Sequence, residues 1–116
     1  MGSFIAGPFA TRILAEFGAK VIKVEPPGGD QIRKWGLAGK GQQDSYFSKV
    51  ILRNKKSVAI NLNHEEGREI VREVIREADV VVENFKPGTL EKWNLSHQEM
   101  REINPRLIIT SVTGYG

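Results

Sequence analysis

Residues 57–83 read SVAINLNHEEGREIVREVIREADVVVE, and this stretch decides the fold. Ser57–Leu62 (SVAINL) has the length and β-branched content of a strand. Asn63 with Glu66 three residues on forms an N-cap and capping-box pattern, so a helix is predicted to start there. Ile70, Val71, Val74, Ile75 and Ala78 trace an apolar face at helical spacing, while Arg68, Arg72, Glu73, Arg76 and Glu77 take the wet side. Asp79–Glu83 (DVVVE) is a nearly continuous apolar strand of the kind buried on both faces.

The same alternation continues on either side. Toward the N-terminus, Pro8 suits the first position of a helix, Phe9, Ile13 and Phe17 recur every four residues, and Gly18 supplies the stop. Lys20–Glu25 (KVIKVE) follows as a strand. From Pro26 to about Asp44 no period is present, and a long loop of this kind in a compact domain is often functional. Trp35 in that loop either stacks on a ring or pins the loop to the core. Asp44–Leu52 holds a short helix with Tyr46, Phe47, Val50 and Ile51 on one side. Toward the C-terminus, Pro87 opens a short helix through Trp93. Leu95, Ser96, Glu99 and Met100 fit a hydrophobic staple plus capping box, and Arg106–Val112 (RLIITSV) is the last strand. Strands separated by helices predict an α/β fold: a parallel sheet with flanking helices and right-handed crossovers.

A chain of 116 residues holds one domain. Hydrophobic residues at 40% and charged residues at 27% are those of a folding globular chain, far from the composition of disorder. The absence of cysteine removes disulfides, thiolate metal sites and cysteine nucleophiles, and His64 and His97 lie far apart, so no metal site is expected. The net charge of +3 is spread among acids, which is weaker than a nucleic-acid stripe but suits a phosphorylated small ligand. No apolar run has the length of a membrane span and no secretory signal is present. The expectation is an intracellular, cytoplasmic protein, with a mitochondrial location left open.

Parallel sheets bind ligands outside the carboxyl ends of their strands. That rule selects the turns Phe4–Pro8, Glu25–Asp30, Asn61–Asn63, Glu83–Gly88 and Thr113–Gly116. Neither GxGxxG nor GxxxxGK[ST] is present. Glu25 stands roughly where a ribose-binding acid would, or is a solvated strand end. Arg53, Lys55 and Lys56 are either a phosphate site or an ordinary charged surface. The glutamate pairs at 65 and 66 and at 99 and 102 fit helix dipoles and caps, the histidines sit in first helical turns, and Ser111 lacks a GxSxG elbow. No catalytic residue is assigned.

Four ordered blocks carry a resemblance: AGPFATRILAEFGAKVIKVEPPGGD, NKKSVAINLN, ADVVVENFKPGTLEKW and NPRLIITSVTGYG. Together they resemble the amino-terminal part of the class III CoA-transferases, the CaiB/BaiF family, from about Ser3 onward. The resemblance implies a Rossmann-like CoA-binding domain and an interlocked homodimer. It also implies no permanently bound cofactor, with coenzyme A or acyl-CoA as substrate beside a carboxylate, and no nucleic-acid or membrane partner. CoA contacts are implied at Ile5 and Ala6, at Ile60, Asn61, Leu62 and Asn63, at Asn84, Phe85 and Lys86, and at Lys92. Lys92 stands where the formyl-CoA type has arginine, which replaces a bidentate fork by a point charge. Pro26 stands where some members carry arginine, and Lys23 or Arg33 would only partly replace that contact.

The family's nucleophilic aspartate belongs after the GYG block, and its first strand before the AGP turn. The chain is therefore expected to be a single incomplete CoA-binding domain over residues 1–116, inactive alone, with Met1–Ser3 as an artificial start. Without that strand the sheet is expected to be marginal or to complete itself by association. Two other readings stand beside the transferase: an α-methylacyl-CoA racemase of the same family, and a noncatalytic nucleotide-binding or assembly module.

Overall fold

The computed structural model describes residues 1–114. Helix α1 (Ala6–Glu16) leads into strand β1 (Val21–Glu25), followed by a long connection containing a 3-10 turn at Gln31–Lys34. Then come α2 (Tyr46–Ile51), β2 (Lys55–Ala59), α3 (Glu65–Glu77), β3 (Val80–Glu83), α4 (Thr89–Lys92), α5 (His97–Ile103) and β4 (Ile108–Ser111). The order is the one read from the sequence.

Every strand pairing among the described residues is parallel, but the single sheet expected resolves into two separate pairs, β1 with β2 and β3 with β4. Residues 1–3 run between them. The Met1 ammonium donates to the Val82 carbonyl at 2.9 Å, and the buried Lys23 ammonium donates to the Gly2 carbonyl. Asn84 and Ser3 exchange two hydrogen bonds, at 2.8 and 2.9 Å. Met1–Ser3 thus bridges β1 and β3 through a few bonds, without forming a ladder.

Side-chain alternation assigns the two faces. Val24 and Val81 point into the main core, which Ile60, Leu62, Val71, Ile75, Leu90, Leu95, Met100 and Leu107 complete beneath α3, α4 and α5. Val82, one residue on, meets Gly7 of α1 on the other face. There α1 buries only Gly7, Pro8 and Ala15. The four-residue recurrence of Phe9, Ile13 and Phe17 points outward, with Phe17 89% exposed. Of the predicted side of α2, Ile51 is buried while Tyr46, Phe47 and Val50 are exposed, and Ser48 is buried beside Ile51. Each helix thus leaves much of its apolar side exposed among the described residues, with Ile51 buried and Phe47 partly covered by Trp35.

Local signals held where they depend only on neighbours. Ser96 and Glu99 form both halves of the capping box that starts α5. The box expected at Asn63 and Glu66 does not form. His64 is the N-cap of α3, and Asn61 Oδ1 instead accepts from the Asn63 amide at 3.1 Å in a tight turn. α3 therefore begins at Glu65, whose carboxylate is held by Arg68 and Arg72. β3 is less enclosed than its apolar run implies, since Val80 is exposed.

Candidate functional site

The carboxyl ends of β1, β2 and β3 converge on a cavity of about 190 Å3. Its lining is Met1–Ser3, Val24–Pro26, Asp30, Ile60–Asn63, Phe85 and Trp93. Three of the turns selected from topology meet there.

The β1 turn is fixed by charge. Arg33 donates to both oxygens of the buried Glu25 carboxylate, at 2.6 and 2.7 Å, and the Asp30 amide adds a bond of 2.9 Å. Burial pushes the Glu25 carboxyl up, but Arg33, the Asp30 amide and the Ser57 hydroxyl outweigh it and hold the pKa at about 2. Asp30 pairs with buried Lys23 at 2.6 Å and caps the 3-10 turn by accepting from the Ile32 amide. Both carboxylates are thus engaged within the protein. The reading of Glu25 as a ribose acceptor gives way to one in which it anchors the glycine-rich connection. Trp35 pins the middle of that connection, edge-on to Phe4 at 6.2 Å and to Phe47 at 5.6 Å.

The β2 turn is fixed by close approach. Gly67, in the first turns of α3, lies against the Asn61 carbonyl where a β-carbon would come within 2.2 Å. Arg68 donates to the Leu62 carbonyl at 3.1 Å, so α3 grips the turn at two points. At the end of β3, the Phe85 amide donates to Glu83 at 2.8 Å, and the Phe85 ring meets Trp93 edge-on at 5.2 Å. Gly88, with φ of 82°, takes the left-handed conformation that turns the chain into α4 and brings Trp93 back to Phe85.

Of the residues implied as CoA contacts, Ile60, Asn61, Leu62, Asn63 and Phe85 line this cavity. Asn84 stands beside it, bonded to the lining residue Ser3. Lys86 and Lys92 are exposed and do not line it; neither do Ile5 and Ala6, at the exposed start of α1. The fifth turn, Thr113–Gly116, runs into Tyr115 and Gly116, outside the described residues. Trp93 was not selected from the sequence, because its place at the cavity depends on the fold-back of α4.

Lys55, of the basic run, reaches the Pro8 carbonyl and Thr11 hydroxyl rather than an open surface. Burial, with Lys23 and Arg12 nearby, lowers its pKa to about 8. His97 has partners that its position in the sequence did not reveal. Its Nε2 lies 3.1 Å from Ser111 Oγ and 3.7 Å from Glu83 Oε1. Both contacts fall on one ring nitrogen, so hydroxyl and carboxylate do not flank the imidazole as a nucleophilic triad requires.

The sequence profile of CoA-transferase family III matches residues 1–116. The chain belongs to CoA-transferase family III. Among its relatives is the succinyl-CoA--D-citramalate CoA-transferase of Chloroflexus aurantiacus, 48% identical over 100% of this chain and 29% of that protein. The succinyl-CoA:glutarate CoA-transferase of Homo sapiens is 46% identical over 97% of this chain and 26% of its own length. A solved CAIB/BAIF family protein from Brucella suis superposes with a TM-score of 0.93 at 42% identity, covering 100% of this chain and 32% of that one. The chain thus spans well under a third of the length of these CoA-transferases, and its parallel α/β fold is that of the corresponding part of a CaiB/BaiF protein. No helix among the described residues is long and apolar enough to cross a membrane.

Proposed function

We propose that this chain is the CoA-binding portion of an acyl-CoA:carboxylate CoA-transferase, which exchanges CoA between an acyl thioester and a free carboxylate. The observation that carries the reading is the cavity at the strand ends, where the Asn61 turn and Phe85 meet across buried aliphatic walls. The relatives named as CoA-transferases favour the same chemistry. In this reading Ile60–Asn63 and Phe85 hold the ligand by backbone approach and ring contact, Asn84 buttresses them, and Lys86 and Lys92 attract its phosphates. Ile5 and Ala6 contribute from the start of α1. CoA is a substrate here, bound and released, and no residue of this chain is assigned to the transfer step.

A homodimer belongs to this reading. The exposed apolar side chains of α1 and α2, including Phe9, Ile13, Phe17 and Val50, support an interface on that face. A cytoplasmic setting accompanies it.

Calorimetric titration of CoA, beside two-dimensional amide spectra, tests the proposal. Saturable heat with shifts clustered at Asn61–Asn63 and Phe85 is the expected result. A cooperatively folded chain whose spectrum ignores CoA would overturn it.

A further inference from the structure

This inference rests on the CoA reading of the cavity and concerns how protons regulate one of its walls. We propose that His97 is a positioning residue: by gaining a proton it draws in the Glu83 carboxylate and so steadies the turn that carries Phe85 into the cavity. Glu83 and Ser111 are register partners at the carboxyl ends of β3 and β4, which puts their side chains on one face of the pair. His97, the first residue of α5, lies over both, with Nε2 3.1 Å from Ser111 Oγ and 3.7 Å from Glu83 Oε1. The other carboxylate oxygen accepts from the Phe85 amide at 2.8 Å. One buried carboxylate thus meets an exposed imidazole on one side and the backbone of a cavity-lining residue on the other.

The two states of the ring make different contacts. A neutral imidazole can accept from the Ser111 hydroxyl at Nε2, which turns a lone pair toward Glu83. An imidazolium donates from both nitrogens, so Ser111 becomes the acceptor and Oε1 faces an opposite charge. The separation of 3.7 Å is that of an ion pair without a hydrogen bond, which leaves the contact room to shorten when the ring is charged. Imidazole is the side chain whose ordinary charge change falls between about pH 5 and 8. Two further cations enter the balance. Glu83 also acts on the Met1 ammonium, whose pKa of about 6 falls in the same range, and Arg101 stands one turn along α5. The Met1 effect is separable, because that group bonds to the Val82 carbonyl.

The test follows the Phe85 amide and His97 ring signals of the full chain, acetylated at Met1, through a pH titration by NMR. The Phe85 amide is expected to shift in step with protonation of the His97 ring, and to lose that step in His97→Gln, which keeps a polar side chain. CoA affinity is expected to rise about two- to threefold as the ring gains its proton, the size of an exposed ion pair, beyond any change shown by His97→Gln. Comparison with that variant cancels the titration of the ligand's own phosphates. A Phe85 step that persists in His97→Gln, or CoA affinities that run parallel in the two chains, overturns the role of His97. If the step depends on His97 and CoA binds at no pH, the CoA reading falls and the link from His97 to Phe85 stands.

Discussion

Gly67 packs so closely on the Asn61 carbonyl that a β-carbon at residue 67 would stand 2.2 Å from that oxygen. Glycine inside a helix ordinarily costs up to about 1 kcal/mol relative to alanine, so Gly67→Ala would stabilise α3 were it free. Here the contact reverses the sign, because the obstructing atom is backbone and cannot rotate away. Gly67→Ala is expected to lose about 1–3 kcal/mol of stability and to weaken CoA binding by displacing the Asn61 turn. Thermal melts and a CoA titration check it; an unchanged or raised melting temperature contradicts the argument.

Glu25 governs the acid limb of stability. Its carboxyl is held at about 2 against an ordinary value of 4.5, so the unfolded chain binds more protons between those values. The resulting stabilisation, on the order of 3 kcal/mol, is fully present above about pH 4.5 and is lost as pH falls through about 2. Glu25→Gln is expected to flatten that part of the stability profile and to loosen the Pro26–Asp44 connection through loss of the Arg33 clamp. Denaturant melts at stepped pH read the slope directly.

The alkaline limb has the opposite cause. Burial, with Lys23 and Lys55 nearby and Glu83 opposing them, lowers the Met1 ammonium to about 6 from 8.0. Lys55 falls to about 8 from 10.5. Each cation is disfavoured in the folded state, so the unfolded chain holds more protons and stability rises with pH, first between 6 and 8, then between 8 and 10.5. Acetylating the Met1 amine is expected to remove the first rise, and Lys55→Met the second. A profile that stays flat from pH 6 to 10.5 in the parent chain would reject both assignments.

How much of this was legible in the sequence depends on the range of the interaction concerned. Ser96 and Glu99 formed their box because both partners lie within one turn. Asn63 and Glu66 show the same spacing, yet His64 takes the N-cap of α3 and the Asn63 amide is held by Asn61 Oδ1, a turn that no spacing encodes. Periodicity identified Phe9, Ile13 and Phe17 as one side of α1, but period alone cannot say what lies opposite. The strand-end rule selected Asn61–Asn63 and, within the Glu83–Gly88 turn, Phe85, all of which line the cavity, since topology fixes where parallel strands stop. Trp93 escaped it, being carried to the cavity by Gly88 and α4. For Glu25 the sequence leaves a ribose-binding acid and a solvated strand end open; its burial against Arg33 was not legible, because that partner sits in a connection without periodic structure.

The space between the two parallel pairs yields the last prediction. Among the described residues no backbone ladder joins β1 to β3; Met1–Ser3 bridges them, with a buried ammonium at Lys23 and another at the chain start, so each presents a strand edge that backbone partners do not saturate. Unpaired edges and an uncovered apolar face on α1 both favour pairing with another copy of the chain. The melting temperature of the 116-residue chain is therefore expected to rise with protein concentration, since association stabilises the folded form by mass action. Placing a β-strand segment ahead of Met1 is expected to fill the interval between β1 and β3, remove the buried ammonium of Met1 and reduce the concentration dependence. Melts over a hundredfold concentration range, read beside sedimentation, separate the cases. A monomer that melts cooperatively at one temperature throughout would mean that Met1–Ser3 already joins the pairs into a self-sufficient domain.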